Sequence, residues 1–559
     1  MGTRGLIIVR FNRRYYVRFN RLDSYFEGLG ASIVAGIPAD PDEYRAWLDK
    51  ERAKYAALEK KLEDEVYELR DGVDSIPRGF YNFLEFPSEL PLLDNLDAEY
   101  TYITNLDQEI LTMNQGIHWK LANIPRKDNL WLRSIADSVY VGKPTICLET
   151  CPEEYVASPA LPAPSDNMEM DINFRLVVPA ASVEGGRSML LAYLLARVFE
   201  AYQRQITQFA LEWAADSFPF RELVFALVSI ASGKARLNPC VPGPEVMELC
   251  ADRVWAETAD KEPPVPFGTM FHRPGEPPGA SPSETIYWLD DVLVCLTRMP
   301  DGESVTRAVD YGWDEGFGHF QIVILSVFDV VFAEVSPGDD DLPFVKVTAR
   351  MPLSPIRKHH CVSSHPRERP AAKPNMNQRF ATEDRVMRSF PSWDMRIFDR
   401  LFVGCAALVN FFNVAGNRRA ATASPGRLPP ELYEQIIGHL DHETWNSCLD
   451  VSQQIRQICL RKFRLDHQMR LVAPPPQLPQ GKHKKRPISF HAQNVQSGRI
   501  VQLTPCPTYL NPLWENRYNW VPVIGDNLKL AMQNALIEFK ISADSEERTH
   551  NEPDSQISS

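Results

Sequence analysis

Arg427-Leu428-Pro429-Pro430-Glu431-Leu432-Tyr433-Glu434-Gln435-Ile436-Ile437-Gly438-His439-Leu440 decides how this chain is read. The stretch continues through Asp441-His442-Glu443-Thr444-Trp445 to Cys448-Leu449-Asp450-Val451-Ser452, then Ile455, Ile458 and Cys459. Pro430 suits the first turn of a helix, where a missing N–H costs nothing. Leu432, Ile436, Ile437 and Leu440 fall at helical spacing and predict one apolar stripe. Asp441 restarts a second helix, with Trp445, Cys448 and Leu449 facing in. Ser452 is placed to cap a third that buries Ile455, Ile458 and Cys459. Three helices in about 40 residues bury little surface on their own. The module over 427–465 should therefore lean on a partner or on the rest of its chain.

This pattern resembles the F-box, which opens with Leu-Pro, continues with an acidic-aliphatic helix, and closes with Val-Ser and a basic-aliphatic helix. Leu428, Pro429, Glu431, Leu432, Ile436, Ile437 and Leu440 match the first part. Leu449, Val451, Ser452 and Ile455 match the second, and Gln453-Gln454 stand where the family often has basic residues. The resemblance implies a non-catalytic, substrate-recruiting subunit of a Skp–cullin–F-box ubiquitin ligase. It implies that Leu428, Pro429, Leu432, Ile436 and Leu440 contact the Skp-type adaptor, while the body before residue 415 holds a protein target. The opening Met1-Gly2-Thr3-Arg4-Gly5-Leu6, the run Arg14–Asn20 and the closing Trp514 and Trp520–Gly525 also look like segments of a group of fungal proteins. Some of that group carry an F-box near the C-terminus, and the group supplies no activity to carry over.

Outside this module the chain reads as α+β, with helices and antiparallel hairpins in a large irregular body. Residues 1–150 form a first region. Leu6–Phe11 and Tyr15–Phe19 flank Asn12-Arg13-Arg14 as a hairpin, and Asp23-Ser24 cap a short helix near Tyr25–Ala35. Asp40–Arg70 is a long amphipathic helix with Asp40 as cap and Pro41 at its first position. Glu99–Thr104, Glu109–Met113 and His118–Leu121 are successive strands, and Leu130–Val141 is helical. Residues 167–350 form a central region. It holds apolar helices over Ser188–Ala214 and Phe220–Ser232, a proline-rich excursion over Pro263–Pro282, strands at Asp291–Thr297 and Phe344–Val347, and a short helix over Ser304–Trp313. The β-branched run His319–Val335 is strand-like at least in part. Residues 351–392 read as a linker, 393–415 as a helix leading to the module, 466–540 as an extension and 541–559 as a disordered tail.

Composition bounds the function. At ~150 residues per domain, 559 residues suggest three or four domains. Hydrophobic residues at 44% supply real cores, and a net charge of −13 repels phosphate backbones and anionic lipid. Nucleic acid and membrane are therefore not expected partners. Ten scattered cysteines are not a disulfide framework, and no signal peptide or spanning segment is legible, so an intracellular location, cytoplasmic or nuclear, is expected. No cofactor or metal is implied. His359, His360, Cys361 and His365 are zinc-type ligands, but without a second pair they read as a solvated polar run. Cys147 and Cys151 read as packing or loop thiols, and Lys482–Arg486 as an exposed charged loop before a nuclear-import signal. Two alternatives stay open: an interaction scaffold, and an enzyme with an N-terminal-nucleophile-like site that would need Thr3 freed by processing.

Overall fold

The computed structural model describes residues 2–69, 80, 82–84, 86–91, 98–137, 144–159, 161–163, 165, 173–240, 279–338, 342–368, 395–422, 428–472, 488–506, 517–524, 529–530 and 537–541. The proline-rich stretch 263–278, Lys482–Arg486, Trp514 and the tail over 542–559 lie outside the described residues.

The first strands are β1 (Gly5–Phe11) and β2 (Arg14–Asn20). Asn12 and Arg13 join them with φ of 47° and 67°, the left-handed pair of a type I′ turn. Their amide N–H groups donate to the Asp107 carboxylate at 2.8 and 2.9 Å. A short helix α1 (Ala31–Gly36) precedes α2 (Pro41–Leu69). Asp40 Oδ1 accepts from the N–H groups of Asp42 and Glu43, the cap expected from the sequence. Strands β3 (Tyr100–Asn105), β4 (Ile110–Met113) and β5 (Ile117–Lys120) complete a sheet of order β2-β1-β3-β4-β5. The pair β1–β3 is parallel and the others are antiparallel. Alternation decides the packing: Leu6, Ile8, Tyr15 and Val17 face one core, while Val9, Tyr16, Tyr102 and Leu111 face another with α2.

The helix expected over Leu130–Val141 is a correction. Only α3 (Leu130–Arg133) forms, and β6 (Ile135–Asp137) then pairs with β7 (Pro144–Ile146). Backbone pairing across the ladder overrides the local apolar spacing there. Residues 138–143 lie outside the described set.

Strand β8 (Asn173–Val177) precedes α4 (Gly186–Ala201), α5 (Gln203–Phe209) and α6 (Phe218–Ser232). The single helix expected over Ser188–Ala214 is thus broken at Tyr202, whose φ and ψ are −101° and 11°. Tyr202 is buried, so packing rather than a proline or glycine turns the chain. Gly233 ends α6 at φ 79°, as its C-cap role predicts. Strand β9 (Arg236–Cys240) follows. Ala280 and Ser281, at the end of the expected excursion, donate their N–H groups to the buried Glu222 carboxylate.

Next come β10 (Ile286–Leu289), β11 (Val292–Leu296), α7 (Gly302–Asp314), β12 (Phe320–Leu325), β13 (Asp329–Pro337), β14 (Pro343–Thr348) and β15 (Met351–Pro352). The run His319–Val335 is two antiparallel strands, turned where Ser326 Oγ accepts from the N–H groups of Phe328 and Asp329. The sheet order is β10-β11-β12-β13-β14-β8, with β15 on β13 and α7 crossing between the parallel β11 and β12. Val292, Val294 and Leu296 face the central core, while Leu293 and Cys295 face α7.

Residues 351–368 correct the linker expectation. Leu353, Ile356 and Cys361 are buried in the central core. Val362 N–H donates to Thr207 O at 2.9 Å, and His118 Nε2 lies 3.2 Å from Val362 O. The segment therefore ties β5 to α5, and the Cys361 neighbourhood is not a solvated run. Residues 369–394 lie outside the described set.

The helix expected over 393–415 is two helices, α8 (Met395–Leu401) and α9 (Val403–Thr422). The chain then forms α10 (Pro430–His439), α11 (His442–Ser447), α12 (Gln453–Arg461), β16 (Met469–Val472), β17 (Phe490–Asn494), β18 (Ile500–Cys506), β19 (Arg517–Ile524), β20 (Lys529–Leu530) and β21 (Ile537–Ile541). The last sheet runs β16-β17-β18-β21-β19-β20, with β9 on β19. The architecture is α+β with mostly antiparallel sheets. No described helix is long and apolar enough to cross a membrane.

Candidate functional site

The three helices α10, α11 and α12 are set by the caps that the sequence provides. Pro429 is extended and Pro430 opens α10. Asp441 Oδ1 accepts from Thr444 N–H, and its Oδ2 accepts from the Thr444 hydroxyl, both at 2.8 Å. These hydrogen bonds hold the Asp441 carboxyl below its ordinary pKa. Ser452 Oγ accepts from Ile455 N–H at 3.3 Å and caps α12. At the other end of α10, Arg464 donates to Leu440 O at 2.6 Å and Gly438 O at 3.0 Å, satisfying carbonyls that the helix leaves open.

The interior of the module is small and aromatic. Trp445 is 1% exposed and meets Phe463 edge-on, with ring centroids 5.6 Å apart. His442 stacks on Trp445 at an interplanar angle of 17°. Ile437, Leu449, Ile455, Ile458 and Cys459 are buried beside them. This interior is continuous with the central core, which includes Leu190 of α4, Ala415 of α9 and Trp445 together. The expectation that the module leans on its own chain is met by packing and also by charge. Arg456 Nε donates to Asn417 Oδ1 of α9 at 3.0 Å. Arg419 of α9 joins Asp291 at 3.0 Å, Asp450 at 2.6 Å, and Asp290. Burial opposes the Arg419 charge, but hydrogen bonds to Asp450 and Asp290 outweigh it and raise its pKa.

The stripe Leu432, Ile436, Ile437, Leu440 divides in the structure. Ile437 points inward, and Leu440 is half-buried and packed on the core. Leu432 and Ile436 are 44 and 47% exposed, four residues apart on one side of α10, and Leu428, just before the helix, is 42% exposed. Pro429 is exposed between them. Of the five residues singled out from the sequence, four are thus open to solvent and Leu440 is partly covered. Val451, at 51% exposure, is a fourth exposed aliphatic that the sequence reading matched to the pattern without selecting it as a contact. Its place between two helix caps was the available signal. Isolated exposed aliphatics are ordinary, and here four lie on one small module.

Other sequence candidates do not converge. Cys361 is fully buried with its thiol pKa pushed up by desolvation, while His360 Nδ1 accepts from Arg357 N–H and His365 pairs with Glu153 at 3.5 Å. Among the described residues, no group of three or more His, Cys, Asp or Glu is arranged to hold a metal ion. Cys151 is buried and its N–H donates to Cys147 O. Thr3 Oγ1 accepts from Ser24 N–H at 3.0 Å, within the backbone joint beside β1.

No protein-family model matches the chain, and no curated protein or solved structure matches it either.

Proposed function

We propose that the chain is an F-box protein, a non-catalytic subunit that recruits a protein target to a Skp–cullin–F-box ubiquitin ligase. The observation that carries this reading is the exposed row Leu428, Leu432 and Ile436 with Pro429, on a module whose inward residues are already satisfied by its own chain. The residues that resemble the F-box start are those left open to a partner. Catalysis then rests on proximity: the body holds the target near a ubiquitin-charged enzyme and raises its effective concentration.

Binding of the full-length chain to a purified Skp-type adaptor tests the reading. Full length is required because the interior of the module is shared with α4 and α9. The chain binds the adaptor, and the double variant Leu428→Ala, Pro429→Ala loses binding with its thermal unfolding unchanged. Equal binding by that variant, or none by the parent chain, overturns the proposal.

A further inference from the structure

Body and module meet around a polar pocket. Arg187 of α4, Lys234 after α6, the Asp290-Asp291 turn between β10 and β11, Arg419 of α9, and Asp450 and Arg456 of the module line it. The cavity itself is small, about 60 Å³, and opens to solvent on one side. Its charges are unevenly spent. Asp290 is held by Lys234 and Arg419, Asp291 by Arg419, and Asp450 by Arg419 at 2.6 Å with Arg456 only at 3.8 Å.

Arg187 is the pocket arginine without an ion pair of its own. It is 6% exposed, and among the described residues it has no carboxylate within ion-pair distance. Its Nη1 donates to Asn413 Oδ1 at 2.7 Å, its Nη2 reaches Ser232 O at 3.5 Å, and its Nε has no partner. Burial first, then the Arg456 charge, lowers its pKa to about 9, against a weaker opposing pull from Asp450. A Cβ at Gly233 would collide with the Arg187 guanidinium, and one at Gly416 with that of Arg456. Both guanidiniums are therefore packed directly against a glycine, and a side chain at either position would displace them. A buried cation offset only by the Phe463 ring face, 5.3 Å away, and by Asp450 beyond ion-pair distance is still costly.

We propose that this pocket binds one small oxyanion of the phosphate or sulfate class between the Arg187 and Arg456 guanidiniums. Planar guanidinium forks match such oxygens bidentately. Asn446 of α11 lines the same pocket and adds an amide donor. Arg187 belongs to the body and Arg456 and Asn446 to the module, so the anion bridges the two and stabilises the docked module. This inference does not depend on adaptor binding.

Thermal unfolding of the full chain, titrated with inorganic phosphate at fixed ionic strength against sodium chloride, tests it. Phosphate raises Tm along a saturable curve beyond the chloride control. Arg187→Met abolishes that response. Asp450→Asn keeps the hydrogen-bonding shape, removes a competing negative charge and tightens the apparent Kd by about tenfold. No saturable phosphate effect in the parent chain overturns the site. So does a full response in Arg187→Met, or weaker binding in Asp450→Asn, which decides the matter even if Arg187→Met does not fold.

Discussion

Ile436 and Ile437 are neighbours in sequence and face opposite ways: Ile436 is 47% exposed and Ile437 is 4% exposed. Under the proposed function, the pair separates recognition from stability in one helix. Ile436→Asp leaves folding within ~0.5 kcal/mol, because it alters a solvated side chain. It lowers affinity for a Skp-type adaptor by more than about tenfold, since a carboxylate would be desolvated at the interface. Ile437→Ala does the reverse, costing about 2–5 kcal/mol of stability through the cavity it opens. Denaturant unfolding and adaptor titration on the two variants read both effects. If both variants lose binding and stability together, the exposed row is structural.

The caps of this module were legible in the sequence because Asp441 and Ser452 are polar residues at the starts of apolar periods, and the structure uses both. So were the turn at Asn12-Arg13 and the cap at Asp40. What escaped was set by distant partners. Nothing local announces that β1 pairs in parallel with Tyr100–Asn105, or that buried Tyr202 breaks an apolar helix. The polar look of residues 357–368 hid Cys361 and Val362, whose backbone and side chains dock on α5. The split of the α10 stripe was half-legible: helical spacing places Leu432, Ile437 and Leu440 on neighbouring faces, but only the position of α12 decides which face is covered. The Arg187–Arg456 pocket had no sequence signal, because its residues come from elements more than 200 positions apart.

Arg419 is the charged joint between body and module. Its guanidinium reaches Asp290 and Asp291 on one side and Asp450 on the other. Arg419→Leu leaves those carboxylates without their shared partner. The side chain is 30% exposed, so solvent screening limits the loss to on the order of 1–2 kcal/mol. The module, rather than the body, should loosen first. Limited proteolysis cutting earlier within residues 428–465 than in the parent chain checks this, and an unchanged cleavage pattern contradicts it.

Ser452 offers a cleaner test of local stability. Its hydroxyl is the cap of α12 and is buried. Ser452→Ala removes the acceptor for Ile455 N–H and costs about 1 kcal/mol. Ser452→Asp restores an acceptor, but it places a charge at a position 3% exposed and should recover less than the full loss. Denaturant midpoints rank the parent above both variants.

His442 makes the module sensitive to acid. Its ring is stacked on Trp445, and burial lowers its pKa below the ordinary 6.5, with the charge of His467 acting in the same direction. Asp466 and the Arg464 backbone pull the other way without reversing the shift. The sign follows from proton linkage. A base whose folded pKa is depressed is protonated first in the unfolded chain, so acid favours unfolding. Stability is full above the unfolded value near 6.5 and falls as pH drops through it toward the lower folded pKa. His442→Phe keeps an aromatic face for Trp445 but cannot take up a proton, so it should flatten this part of the profile. Stability measured between pH 7.5 and about 5 in both proteins separates the two cases: a slope of equal size in His442→Phe would assign the acid sensitivity to other groups, while a flattened slope places it on the His442–Trp445 stack.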